Sequence, residues 1–200
     1  MSNKRGLALF DFDGTITTRD TLFEFIHFAK GSFQFFTGFL VLSPMLALFK
    51  AGFISNANAK QYVLSYFFKG IDVSAFNRLC GEFAQQRIPQ LIRLKALEEI
   101  RQHLASGYKV VIVSASPENW VKPWADSLPV ECIATRMEVV DGKITGRFQG
   151  MNCHGEEKVE RIRAYLNTDE FTPIYTYGDT SGDRPMLALG QHAHYKPFRK

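Results

Sequence analysis

Phe10-Asp11-Phe12-Asp13-Gly14-Thr15 is the stretch on which the reading of this chain turns. Gly6 to Phe12 reads as a short buried strand that ends in acids. In a strand, residues two apart point the same way. Asp11 and Asp13 are therefore expected to project together, or nearly so, where the strand runs into its loop. Gly14 lets the backbone turn tightly there. Thr15 offers a hydroxyl to a neighbouring carboxylate or phosphate. Taken alone, the run also suits a solvated acidic turn, because acids commonly end strands.

Three further segments read as strands: Lys109 to Ser114, Phe171 to Tyr177 and, more weakly, Val130 to Thr135. Continuous apolar strands of this length imply burial on both faces, hence a parallel sheet. Helical patterns lie between them at Pro89 to Ala105, Glu156 to Leu166 and Pro185 to Leu189. The alternation predicts an α/β fold, a doubly wound parallel sheet of Rossmann-like form. Two stretches break it. Asp141-Gly142 between β-prone runs predicts a hairpin. Residues 17–85 are Phe-rich and helical in pattern, and read as an inserted helical cap. The catalytic core is then expected to comprise 1–16 and 86–200.

Composition narrows the class. A chain of 200 residues suits one core plus a modest insertion, and 46% apolar with 22% charged residues is ordinary for a globular protein. The formal net charge of +4 favours anionic partners in general. It is too diffuse for nucleic acid, since no dense Lys/Arg run or reader motif accompanies it. Cys80, Cys132 and Cys153 form no CxxC pair, so neither a zinc site nor a disulfide framework is indicated. A reduced, cytoplasmic setting is expected, and the start of the chain does not read as a signal peptide.

Three more places carry chemistry. Ser114 ends the second strand, where a hydroxyl and nearby N–H groups can hold a phosphate oxygen; Ser116-Pro117 after it suits a helix N-cap. Lys158 stands early in a helical segment, where a lone lysine is usually solvated. Gly178-Asp179-Thr180-Ser181-Gly182-Asp183 follows an apolar strand. Asp179 suits a magnesium ligand there, although Gly, Asp and Ser are also the residues of an ordinary turn. The carboxyl ends of strands in an open parallel sheet are where ligands bind. Four carboxylates, Asp11, Asp13, Asp179 and Asp183, are untenable beside a phosphate dianion without cations. Lys158 supplies one charge, and Mg²⁺ would supply two more.

The ordered set Asp11-x-Asp13-Gly14-Thr15, Ser114, Lys158 and Gly178-Asp179-x-x-x-Asp183 resembles the haloacid dehalogenase-like hydrolase superfamily. The insertion after the first motif is similar to the helical-cap branch that contains phosphoserine phosphatase. The resemblance implies that Asp11 attacks phosphorus to form an aspartyl-phosphate and that Asp13 acts as acid, then base. It implies Mg²⁺ on the Asp11 carboxylate, the Asp13 backbone carbonyl and Asp179, with Asp183 ordering a metal-bound water. Ser114 and Lys158 would hold phosphoryl oxygens, with Gly14, Thr15, Ala115 and Asp20 also lining the phosphate or substrate site. The second acid, Asp13, points to phosphomonoester hydrolysis rather than dehalogenation.

Substrate class rests on the cap. Gly31 to Phe49 carry no charge and are flanked by Lys30 and Lys50. One reading is a buried pair of cap helices hinged at Pro44. The other is membrane contact at the inner face. The cap, Ser114-Ala-Ser-Pro117 and Cys153-His-Gly-Glu-Glu-Lys158 are similar to the phosphatidylglycerophosphatase C group, which implies a lipid phosphate. The tail from Lys196 to Lys200 either meets anionic headgroups or is a solvated terminus. The competing expectation is a small soluble phosphate, of phosphoserine or histidinol-phosphate type. Asp20 standing for a glutamate and Ala115-Ser116-Pro117 for a glycine-rich loop depart from the phosphoserine pattern. Arg19, Arg136 and Arg184 are further candidate contacts or plain surface. A non-catalytic phosphate- or lipid-binding module on the same fold is the rival from another class.

Overall fold

Leu7, Ala8, Leu9 and Phe10 are all fully buried in the computed structural model of the chain, which describes residues 5–199. Such a strand needs cover on both faces. Ala8 and Phe10 join one apolar cluster with Val110, Ile112 and Trp120. Leu7 and Leu9 join another with Val111, Val113, Ile133 and Ile162. The alternation along the strand is thus between two cores, not between core and water.

In chain order the elements are β1 (Arg5–Phe10), α1 (Thr21–Lys50), α2 (Asn56–Phe68), α3 (Val73–Gln86), α4 (Ile88–Leu91) and α5 (Leu94–Ala105). Next come β2 (Lys109–Pro117), α6 (Glu118–Ala125), β3 (Glu131–Thr135), β4 (Met137–Val140) and β5 (Lys143–Phe148). The described chain ends with α7 (Glu156–Tyr165), β6 (Phe171–Gly178), α8 (Arg184–Leu187) and β7 (His192–Tyr195). The main sheet has the order β3-β2-β1-β6-β7, and each neighbouring pair is parallel. This is the doubly wound α/β fold the sequence predicts, with β7 as an added edge strand. β4 and β5 form the expected hairpin, turned at Asp141 (φ 49) and Gly142 (φ 72).

The predicted helix over Pro89 to Ala105 is two helices. Ile92 is extended and pairs with Thr17. The Thr18 N–H bonds to Leu91 O (2.8 Å), and the Arg93 N–H to Ile16 O (2.8 Å). The backbone bonds that would continue the helix are given to the start of the insertion. They tie together the two ends of the α1–α3 segment. The hairpin extends that segment, with Gly70 N–H bonded to Ile144 O and Val73 N–H to Gly142 O (both 2.8 Å).

The two-helix reading of Gly31 to Phe49, buried and hinged at Pro44, is corrected. The break in α1 is at Gly31, whose φ of 73 is left-handed backbone that suits glycine. Pro44 lies inside continuous helix. Its missing N–H frees the Leu40 carbonyl, and the Ser43 hydroxyl donates to that oxygen at 2.7 Å. Nor is the segment buried. Phe35, Phe39, Leu42, Met45 and Leu46 pack on the core, while Phe33, Phe36, Leu40 and Val41 face outward. By length and composition α1 is apolar enough to cross a membrane, and only 6% of its most apolar window is buried.

Glu24 fastens α1 to the end of α3. It accepts from Arg87 Nη2 at 2.7 Å, Arg87 Nε at 3.0 Å and Arg19 Nη1 at 3.0 Å. Burial raises its pKa, but the Arg87 and Arg19 guanidiniums outweigh that and hold the carboxyl below its ordinary range. A depressed acid stabilises the fold above its unfolded pKa, and this stabilisation is lost as pH falls through the folded one. Glu24→Gln is expected to cost about 1 kcal/mol at neutral pH, a gap that closes below about pH 4. Thermal melts of both proteins across that range check it, and a gap independent of pH would refute it.

Candidate active site

Three neighbouring strands end at one edge of the sheet, and each delivers a polar side chain there. β1 leads into Asp11, whose N–H bonds to Tyr177 O (2.9 Å). β6 ends at Gly178, next to Asp179. β2 carries Ser114. This is the edge where open parallel sheets bind ligands. Asp11, Ser114, Asp179 and Asp183 are all buried, as is Lys158 from the first turn of α7, at 1% exposure.

Lys158 is not solvated. Its ammonium donates to Asp11 Oδ1 (2.6 Å), Asp183 Oδ1 (2.7 Å) and Val113 O (2.9 Å), which uses all its protons. Burial alone would lower its pKa, but the Asp11 and Asp183 carboxylates hold it above the ordinary lysine value. For Asp11 burial dominates and pushes the carboxyl up to about 7, with Lys158 pulling the other way and Asp183 and Asp13 adding repulsion. Burial also raises Asp183, but Lys158 and the Thr180 donors outweigh it and keep Asp183 below the usual carboxylate range.

Asp11, Asp179 and Asp183 each offer an oxygen within 4.8 Å of the others. Hard carboxylate oxygens at this spacing fit a small divalent cation. Asp183 is the least free of the three. Its Oδ2 accepts from Asp179 N (3.1 Å), Thr180 N (2.9 Å) and the Thr180 hydroxyl (2.8 Å). Asp11 and Asp179 are the better direct ligands. Thr15 donates to Asp179 Oδ1 at 3.2 Å, so its expected partner is the carboxylate rather than a phosphate. Gly14 (φ 81) is required twice over, since a Cβ there would also stand 2.6 Å from Asp179 Oδ2.

Asp13 does not join this cluster. β1 stops at Phe10, and a wide turn over Phe12–Ile16 takes Asp13 out of strand alternation. The expectation that Asp11 and Asp13 project together is corrected accordingly. Asp13 Oδ1 accepts from Thr21 N (2.7 Å) and the Thr21 hydroxyl (2.6 Å). Asp13 Oδ2 accepts from Ser116 (2.6 Å) and Ser114 (3.4 Å). Ser116 is therefore not a helix N-cap. β2 continues to Pro117, and the Ser116 hydroxyl serves Asp13 instead.

Comparison with known proteins agrees with this geometry. Residues 8–188 match the family described as haloacid dehalogenase-like hydrolase. The chain belongs to the haloacid dehalogenase-like hydrolase family. It is 37% identical to protein CicA of Caulobacter vibrioides over 201 residues, covering 100% of this chain and 89% of that one. It is 34% identical to a probable phosphatase of Mycobacterium tuberculosis over 202 residues, covering 94% and 68%. In fold it is similar to a Bordetella pertussis protein of unknown function, with a TM-score of 0.82, 24% identity and coverage of 96% and 89%. Within the family this enzyme is a phosphatase.

Other residues of this hydrolase fall around the same centre. Asp20 caps α1 through Leu22 N (2.8 Å), and burial with Asp13 nearby pushes it up to about 6, against the pull of Lys60. Lys60 of α2 reaches the Ala115 carbonyl at 3.5 Å, which also accepts from Thr135 (3.1 Å). Arg19 pairs with Glu24, Arg136 with Glu118, and Arg184 is exposed, so these three are surface. In the tail Lys196 and Pro197 are exposed, as a solvated terminus would be, but two residues turn inward. Phe198 is buried against Tyr177 at 5.6 Å, and Arg199 bonds Asp179 Oδ2; Lys200 lies outside the described residues. Ser116, Thr21, Trp120 and Arg199 escaped the sequence reading. The extra hydroxyl after Ser114 was the signal for Ser116, whereas Arg199 carries none. The three cysteines are free; burial pushes Cys153 up to about 11 and Cys132 up to about 12, so both stay protonated.

Lys158→Met would leave two buried carboxylates without their counter-ion. It is expected to cost about 3–5 kcal/mol. Urea denaturation of both proteins without added metal measures this, and a loss below 1 kcal/mol would contradict the pairing described above.

Proposed function

We propose that this hydrolase cleaves phosphomonoesters through an aspartyl-phosphate on Asp11, with Mg²⁺ held by Asp11, Asp179 and the Asp13 backbone carbonyl. The observation that carries the reading is the Asp11 carboxylate. It has one oxygen fixed by buried Lys158, and it lies within ligand reach of Asp179. The metal, when bound, would screen the negative nucleophile from a negative phosphate.

The protein's own groups supply the remainder. The free Asp11 oxygen attacks phosphorus as the bond to the leaving oxygen breaks. Asp13 gives that oxygen its proton, and later takes one from the water that cleaves the acyl phosphate. Ser114 holds a phosphoryl oxygen, and Lys158, oriented by Asp183 and with its protons given to Asp11, Asp183 and Val113, places its positive charge beside the phosphoryl group. A mere phosphate-binding module would not need both Asp11 and Asp13.

For substrate we favour a lipid phosphate, such as phosphatidylglycerophosphate, met at a membrane surface. The supporting observation is the outward face of α1. Phe33 is 80% exposed and Leu40 73%, on a segment without charge between Lys30 and Lys50. An apolar face of this kind on the cap suits an acyl-bearing substrate and an anionic surface.

Asp11→Asn is expected to lose about a thousandfold or more in turnover of an aryl phosphate while melting as a folded protein. EDTA should abolish wild-type activity and Mg²⁺ restore it. A variant at wild-type rate, or activity indifferent to EDTA, would sink the mechanism. For the substrate, release of phosphate from phosphatidylglycerophosphate in vesicles is compared with release from phosphoserine, alongside flotation on anionic liposomes. Preference for the soluble ester with no flotation would reject the lipid reading.

A further inference from the structure

Asp179 has a cationic partner that the mechanism does not use. Arg199, from the stretch just after β7, donates through Nη2 to Asp179 Oδ2. The other oxygen, Oδ1, accepts from the Thr15 hydroxyl at 3.2 Å. Each oxygen of this carboxylate thus has a donor, and the donor on Oδ2 carries a full positive charge.

The backbone delivers Arg199 to this place. Lys196 N–H bonds to Gly178 O (2.8 Å), which seats the stretch beside the turn that carries Asp179. Phe198 is buried, and its ring stacks on Tyr177 at 5.6 Å and on Phe10 at 6.5 Å. Arg93 donates from Nη1 to the Phe198 carbonyl at 3.4 Å and from Nε to Thr17 O at 3.1 Å. Arg199 therefore follows a residue held by both its ring and its carbonyl.

Charge decides what the contact does. Asp11, Asp179 and Asp183, counted as carboxylates, carry three negative charges, and Lys158 answers one of them. The remainder equals the charge of one Mg²⁺. Arg199 answers part of that remainder from an oxygen of a proposed metal ligand. Two cations on one carboxylate repel each other at close range. Burial sets which partner yields. The Arg199 side chain is 45% exposed, and that of Asp179 only 3%. A guanidinium released there passes into water, whereas Asp179 cannot follow it. Thr15 is buried and neutral, and has no charge to expel.

We propose that Arg199 is a latch on the metal site: its guanidinium and Mg²⁺ take Asp179 in turn, so that Arg199 sets how tightly the site holds the metal. This rests on the reading of Asp179 as a magnesium ligand. While the pair is made, it relieves repulsion among the three carboxylates. For the same reason it makes Mg²⁺ binding weaker than those carboxylates alone would give. A latch closed about nine-tenths of the time lowers the affinity about tenfold.

Isothermal titration of Mg²⁺ into the metal-stripped full chain tests this. Arg199→Gln is expected to lower the Mg²⁺ Kd by about tenfold. Arg199→Lys, which keeps the charge, should stay within about threefold of wild type. Thermal melts give a second readout. Arg199→Gln should melt below wild type in EDTA and gain more from saturating Mg²⁺ than wild type does. A residue that merely orients Asp179 would weaken metal binding when lost, so an unchanged or weaker Mg²⁺ affinity in Arg199→Gln would overturn the latch. A wild-type protein that takes up no Mg²⁺ would overturn the magnesium reading itself.

Discussion

One buried ammonium holds the catalytic edge together. Lys158 comes from α7, and its acceptors follow β1 (Asp11), precede α8 (Asp183) and lie within β2 (Val113). A charge at 1% exposure costs several kcal/mol to desolvate, and only a full set of acceptors offsets that. The four elements must therefore meet at this atom or the fold carries an unpaired buried charge. The same pairing keeps one Asp11 oxygen occupied and leaves the other free. Stability and the orientation of the Asp11 carboxylate are thus two consequences of one interaction.

Around that point the carboxylates divide into two environments. Asp11, Asp179 and Asp183 crowd within ligand distance, where their repulsion is relieved by Lys158 and by Arg199 on Asp179. Asp13 instead takes hydroxyl and amide donors that bear no full charge. Separation of this kind is what the proposed division of labour needs, one acid set for a cation and the other for a proton. If Asp13 shared the cluster, its charge would be bound up in the cation balance and its proton could not be spent independently. The turn over Phe12–Ile16, made possible by Gly14, produces the separation.

How much of this was legible in the sequence follows from which physical signals are local. The parallel strands were legible because both-face burial leaves a continuous apolar run, as in Leu7 to Phe10 and Val110 to Val113. Asp11, Ser114, Lys158, Asp179 and Asp183 were legible because each stands at a strand end or an early helix turn that the pattern locates. Asp13 was located but not oriented, since strand parity stops applying once the wide turn begins. Ser116, Thr21 and Trp120 come together only through contacts across about a hundred residues of chain, which no local pattern encodes. In α1 the apolar residues run all round the helix, so periodicity could not say which face is covered. Pro44 looked like the hinge, but the Ser43 hydroxyl satisfies the carbonyl it frees and the helix continues.

The same helix serves two ends of the molecule with different demands. At Thr21 it is rooted by hydrogen bonds to Asp13 and Ser116, which tolerate shifts of only a few tenths of an ångström. Beyond Gly31 it presents Phe33, Phe36, Leu40 and Val41 outward. The left-handed residue at Gly31, with nothing within 4 Å of where a Cβ would stand, is where the helix changes direction. Glu24, bound to Arg87, secures the inner half on the catalytic side of the break. Phe35 and Phe39 of the outer half pack back on His27 and Phe23 (5.3 and 5.4 Å), so the break folds the helix onto itself and leaves Phe33, Phe36, Leu40 and Val41 on the outer face.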